Sequence, residues 1–212
     1  LCSNFPLAGR KCSPHAKELL HKKFHAIEAM EGCLQTSGQN MVQHGEAVRD
    51  RLFDLIDATS GRQGKFEWIL PEWWMSEAPK LLGLLEDSYT LEQYAFWHDC
   101  GKPRCLEIDA EGKRHYPDHA KASAALFREL YPGRECVASL IEHDMDFHLL
   151  KFDGVRQFCS NPQAATLLFS ALAEIHANME MFGGPESIGF KIKWKAFRRL
   201  GQSACGLLSC VI

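Results

Sequence analysis

The sequence predicts an all-α fold, a helical bundle carrying one small β-hairpin. Three observations predict it. Apolar residues recur at helical spacing in one stretch after another. Several of these stretches open on a Ser, Asn or Thr suited to capping a helix and close on Gly or Pro. Only one segment, 104–117, alternates on either side of a polar turn as a hairpin does. The 212 residues suit one ordinary domain, and 46% apolar against 24% charged residues are enough to bury a core.

Residues 1–12 read as an irregular lead-in. Ser13-Pro14 starts a helix, with Ser at the N-cap and Pro in the first turn, and Leu19, Leu20, Phe24, Ile27 and Met30 keep its spacing to near Gly32. Thr36 to Asn40 is a break, and Asn40 caps the next helix, Met41 to Ile56. There His44 lies one turn before Val48, on the face of Leu52, Leu55 and Ile56. Residues 59–77, with Gly61, Gly64, Pro71, Trp73 and Trp74, read as a loop packed down by its tryptophans, and Pro79 to Leu85 as a short helix. Thr90 caps a helix that ends in His98-Asp99-Cys100-Gly101-Lys102-Pro103. Cys105 to Ile108 and Lys113 to Tyr116 form the hairpin around a turn at Asp109 to Gly112. Helical stretches follow at 118–131, 134–149 and 163–181, the last stopped by Gly183-Gly184-Pro185. In the tail, Lys191, Lys193 and Lys195 alternate with Ile192 and Trp194, which admits a strand. The expected organisation is a helical extension at 1–40, a core at 41–185 with an insertion at 59–90, and a basic aromatic tail at 186–212.

A net charge of −3 excludes a uniformly basic nucleic-acid binder. No apolar run approaches the ~18–20 residues of a membrane span, so no membrane partner is expected. The nine cysteines include no C-x-x-C pair, and reduced thiols in a cytoplasmic protein are the expectation. The chain begins at Leu1 rather than Met, so a missing or processed start is expected, and its first residues lack a signal peptide's apolar core. Nothing in the sequence sets an oligomeric state.

Chemistry is carried by the ten histidines. A His-Asp dipeptide alone says little, and the chain holds two, His98-Asp99 and His143-Asp144. The signal is the constellation. His44 sits inside an amphipathic helix, His98-Asp99 closes another, His119 opens a third and His143 lies late in a fourth. Four helices of a bundle can each turn one ligand toward a shared point. Imidazoles with one carboxylate suit Mn, Fe, Co, Ni or Zn better than Mg or Ca.

These motifs resemble those of the HD-domain metal-dependent phosphohydrolases. The pattern is Val42-Gln43-His44, then His98-Asp99 with Gly101-Lys102-Pro103, then His119, then Leu140-Ile141-Glu142-His143. The run from His98 to Pro103, followed by Tyr116-Pro117-Asp118-His119-Ala120-Lys121, is most like the HD module of bacterial tRNA nucleotidyltransferases and its stand-alone relatives. The likeness covers roughly residues 41–182. It implies an HD-type bundle with one or two divalent ions. His44, His98, Asp99 and His176 would hold the first ion; His119 and His143 would hold a second, with Asp99 bridging. The family's usual Asp on the last core helix has no counterpart, since the segment 165–181 contains no Asp; His176 takes that place, with Glu174 in reserve.

The implied reaction is hydrolysis of a phosphoester by a metal-activated hydroxide, with Asp99 and Lys102 as catalytic residues and the Lys102 ammonium reaching a phosphate oxygen. With a single ion, His119 or His143 would act as acid or base. The favoured substrate is a nucleotide or nucleic-acid terminus, such as a 2′,3′-cyclic phosphate or a 3′-phosphate. Lys102, Lys191, Lys193 and Lys195 would bind it. The alternatives are a nucleotide phosphatase or cyclic-nucleotide phosphodiesterase, and a non-catalytic nucleotide-sensing module of the same fold. Trp68, Trp73 and Trp74 read as packing of the insertion, or as a wall for a base. His15, His21, His25, His115 and His148 read as surface or structural residues, with His148 facing away from His143 on one helix.

Overall fold

A computed structural model describes residues 13–36 and 38–210, so the expected lead-in at 1–12 lies outside the described residues. The protein is mostly α-helical, with two small antiparallel hairpins among the described residues. Helix α1 (Pro14–Gly32) starts as expected, with the Ser13 hydroxyl accepting the Ala16 N–H. The break after it contains strands β1 (Leu34–Thr36) and β2 (Gln39–Asn40), a hairpin the sequence pattern does not reveal because its two strands are so short. Asn40 then caps α2 (Met41–Thr59) in a capping box with Gln43.

The insertion contains α3 (Trp74–Glu77) and a 3₁₀ segment, Ala78–Leu84, in place of the expected helix. The next helix, α4 (Ser88–Trp97), is capped by Asp87 rather than Thr90. The Asp87 carboxylate accepts the N–H groups of Tyr89 and Thr90 and the Thr90 hydroxyl, so Thr90 supports the cap from inside the helix. Strands β3 (Glu107–Ile108) and β4 (Arg114–His115) form the expected hairpin, turning at Gly112 with φ of 78°.

Helix α5 (His119–Leu130) follows. The expected helix at 134–149 is two: α6 (Glu135–Glu142) and α7 (Met145–His148), broken at His143-Asp144. After α8 (Val155–Phe158), the central helix α9 (Ala164–Ala177) buries nearly every side chain. The tail is not a strand but α10 (Ile188–Ser209), capped by Ser187. Phe190, Phe197, Leu200, Ala204 and Leu208 form its buried stripe, and this helical period outweighs the short lysine alternation.

The core is continuous. Helix α2 packs on α9 and on α4; α6 joins α4 to α5; α10 lies on α8 and α9; and α1 lies on α2 and α5. No described helix is long and apolar enough to cross a membrane.

The crossing of α2 and α4 positions chemistry. A Cβ on Gly45 would lie 2.5 Å from the Phe96 carbonyl oxygen, so glycine alone permits the backbones this close. The neighbouring residues, His44 and His98, are thereby brought ring to ring at 5.2 Å. Gly45→Ala must push the helices apart. The expected cost is roughly 1–3 kcal/mol in urea unfolding at unchanged m-value; a loss below about 0.5 kcal/mol would show that the crossing relaxes freely.

Candidate metal centre

His98 and Asp99 sit where α4 gives way to tight turns, with Cys100 N–H donating to Trp97 O and Lys102 N–H to Asp99 O. This turn is pressed onto α5. Gly101 N–H donates to the Ser123 hydroxyl at 2.8 Å, and a Cβ on Gly101 would meet the Ser123 nitrogen at 2.3 Å. The His-Asp-Cys-Gly-Lys spacing is therefore a packing requirement as well as a chemical pattern.

His44, His98 and Asp99 are buried, and each offers a donor atom within 4.8 Å of the others. His44 Nε2 and His98 Nε2 each lie 3.4 Å from Asp99 Oδ2. His98 donates Nδ1–H to the Ala95 carbonyl at 2.8 Å, which turns Nε2 toward the cluster. Both ring nitrogens of His44, His98 Nε2 and Asp99 Oδ1 are buried without a hydrogen-bond partner. Unpartnered buried nitrogens facing a carboxylate call for a cation. Two imidazoles and a carboxylate are a donor set for a divalent transition metal, so the residues fit one.

Lys102 is also buried, its ammonium donating to Asp99 Oδ2 at 2.6 Å and to Gln35 Oε1 at 3.0 Å. His119 donates Nδ1–H to Tyr116 O at 3.0 Å and holds Nε2 3.6 Å from Asp99 Oδ1. Its helix begins just after Asp118, which adopts the left-handed region with φ of 51°.

Burial pushes His44 down to about 4. Burial also opposes a charge on His98, but the adjoining Asp99 carboxylate lifts it to about 10. Burial resists ionisation of Asp99 too; Lys102 and His98 outweigh it and hold the carboxyl well below its usual range.

Two expected ligands are not in this group. His143 caps α6 at the surface and pairs with Asp146 at 2.8 Å, because the helix break turns it outward. His176 is buried, but both its nitrogens are spent: Nδ1–H donates to Leu172 O at 3.0 Å, and Nε2 accepts the Ile69 N–H at 3.1 Å. With both nitrogens used, it has no lone pair for an ion.

Beside the cluster stand His148, which the sequence reading set aside, Glu174, which it held in reserve, and Tyr94 and Asp144, which it did not single out. His148 and Glu174 pair at 2.7 Å beside the cluster, and Tyr94 donates to the buried Asp144 carboxylate at 2.6 Å. The same break that removes His143 presents Asp144 and His148 inward. Glu174 is the acid in an otherwise apolar helix, a signal readable in advance. Burial disfavours charge on His148, yet Glu174 raises its pKa. A cavity of about 190 Å³ opens here, lined by Lys102, His119, His148, Glu174, Asn178 and Lys193. Of the other expected substrate lysines, Lys191 pairs with Glu186 at 2.7 Å, and Lys195 lines a separate groove on α10.

No protein-family model matches this chain. Neither the curated proteins nor the solved structures give a match.

The Asp99 carboxylate favours the protonated form of His98, and ligation requires the neutral one. Uptake of Mn²⁺ at pH 7 is expected to release about one proton and to tighten as pH rises toward about 10. Calorimetry in buffers of different ionisation enthalpy reads this directly; a heat independent of buffer would show that His98 is neutral beforehand.

Proposed function

We propose that this chain is a metal-dependent phosphohydrolase of the HD-domain kind, acting on a phosphoester of a nucleotide or nucleic-acid end. One observation carries the reading: the unpartnered nitrogens of His44 and His98 converge on Asp99, and Lys102 and His119, which lie against Asp99, line the adjoining cavity. His44, His98 and Asp99 would hold the ion, Mn, Fe, Co, Ni or Zn, with His119 and Glu174 as nearby further donors. When bound, such an ion supplies Lewis acidity toward phosphoryl oxygens and lowers the pKa of a water.

The protein's own groups do the rest. Lys102, fixed against Asp99, and Lys193 on the opposite helix offer positive charge to phosphoryl oxygens. His119 Nε2, with Nδ1–H committed to Tyr116 O, is left as a proton acceptor toward the cavity. His148, whose protonated form Glu174 favours, adds charge to the cavity wall. The cavity is smaller than the ~300 Å³ at which sites begin to enclose drug-sized ligands. It suits the phosphoryl end of a substrate whose remainder lies outside. The described cysteines are unbridged, in keeping with a reducing, cytoplasmic setting.

One contact favours a second reading, a non-catalytic nucleotide-binding module. Lys102 Nζ already supplies a cation to Asp99 at 2.6 Å. Metal analysis separates the two. Under the first reading, protein loaded with Mn²⁺, Co²⁺ or Ni²⁺ retains the ion and hydrolyses mono-, di- or cyclic nucleotides or 3′-modified oligonucleotides. Asp99→Ala loses both ion and activity. Lys102→Met keeps the ion while kcat falls roughly 10²–10³-fold. Wild-type protein that retains no ion and hydrolyses no phosphoester in this screen would sink the enzyme reading.

A further inference from the structure

Helix α10 carries five basic residues and no acid over its 22 positions, in a chain whose net charge is −3. Two of the five are neutralised locally, Lys191 by Glu186 and Arg198 by Glu72. Lys193, Lys195 and Arg199 are exposed and have no carboxylate partner among the described residues. Lys193 stands on the wall of the metal-centre cavity. Lys195 and Arg199 stand one helical turn apart along a groove of about 500 Å³, whose apolar side is Ile192 and Ala196. Ala196 also lines a small hollow shared with Lys193 and His148, so the groove, the hollow and the cavity follow one another along α10.

We infer that this groove is a binding site for the phosphodiester backbone of a single-stranded nucleic acid, leading its end from Lys195 and Arg199 past Lys193 into the metal-centre cavity. The inference rests on the phosphohydrolase reading and narrows its substrate from a nucleotide to a polynucleotide terminus. The spacing supports it. Lys195 and Arg199 share one face about 6 Å apart along the helix axis, the scale of neighbouring phosphates on an extended strand. A mononucleotide seated at the metal centre would leave Lys195 and Arg199 without a function. The exposed Ile192, on the groove one turn before Lys195 and Ala196, offers an apolar surface to a base. A lipid surface is disfavoured because Ile188 and Ile192 are the only large apolar side chains exposed on the first half of α10.

The test is binding of the full chain to a fluorescein-labelled single-stranded RNA bearing a 3′-phosphate, by anisotropy in EDTA, so that binding is read without turnover. The expected result is that Lys195→Glu/Arg199→Glu weakens binding by roughly tenfold or more, and that Lys195→Gln/Arg199→Gln weakens it less. The log–log salt slope should shrink by about 0.7 for each charge removed. Both pairs are on exposed positions, and unchanged circular dichroism confirms the fold. The inference is overturned if both double variants bind as the wild type does. It is also overturned if a mononucleotide competes as tightly as the oligomer, or if the protein binds phosphatidylserine vesicles and no RNA. Hydrolysis of a small chromogenic phosphodiester by the unmutated protein with Mn²⁺ tests the underlying enzyme reading separately, so either idea can fail alone.

Discussion

The buried charge of Asp99 is the constraint around which the site is arranged. A carboxylate taken out of water costs several kcal/mol unless it is compensated. Here compensation comes from Lys102 at 2.6 Å and His98 at 3.4 Å, with the rings of His44 at 3.4 Å and His119 at 3.6 Å closing the site around the carboxylate. Asp99 lies beyond the end of α4 at Trp97; His98 and Lys102 share its turn, while His44 comes from α2 and His119 from α5. The site therefore exists only when α2, the turn after α4, and α5 are all in place. Two glycines make that assembly geometrically permissible, Gly45 where α2 meets Phe96 and Gly101 where the turn meets Ser123. Local sequence, helix crossing and electrostatics are thus one problem with one solution, and function at this site depends on the same contacts as stability.

The part of this centre that was legible in sequence is the part whose geometry is local. His98, Asp99 and Lys102 lie within one turn, and the glycine between them marks a close approach. His44 and His119 are set by single helix positions, one inside an amphipathic period and one at a helix start. The fold class followed from the same local signals, since caps at Ser13 and Asn40 and the turn at Gly112 act within a few residues. The exchange of His143 for His148 needed something else. Continuous apolar spacing from 134 to 149 reads as one helix, and the break at His143-Asp144 is made by tertiary packing. Asp144 is drawn inward by the Tyr94 hydroxyl 50 positions away. A non-local hydrogen bond overrides a local period, and the faces downstream rotate with it. The tail shows the converse. A short alternation of lysines resembles a strand, but the stripe from Phe190 to Leu208 buries far more apolar surface as a helix.

His176 explains why the last core helix departs from the carboxylate that the resemblance leads one to expect. The position must donate to Leu172 O on its own helix and accept from the Ile69 N–H of the insertion. A neutral imidazole does both at once, and its burial, which pushes its pKa down to about 4, keeps it neutral. An aspartate could only accept, leaving the contact with its own helix unmade. The ring also packs on Trp68 at 4.7 Å, whose indole N–H is given to Asp54 on α2. Asp54 further accepts the N–H groups of Lys65 and Phe66, while Trp194 on α10 donates to Ile69 O at 2.7 Å. The insertion is consequently stitched to α2, α9 and α10 by polar bonds at fixed points. Its tryptophans serve this end: Trp74 donates to Thr59 and Trp73 to Arg198 O, so their N–H groups are committed to packing rather than presented to a base. Because α9 carries Glu174 and α10 carries Lys193, the clamp at His176 also holds the far wall of the cavity in register with the near wall at Lys102 and His119. The histidine stands two residues from the acid that faces the cavity, and its work is to keep that acid where it is.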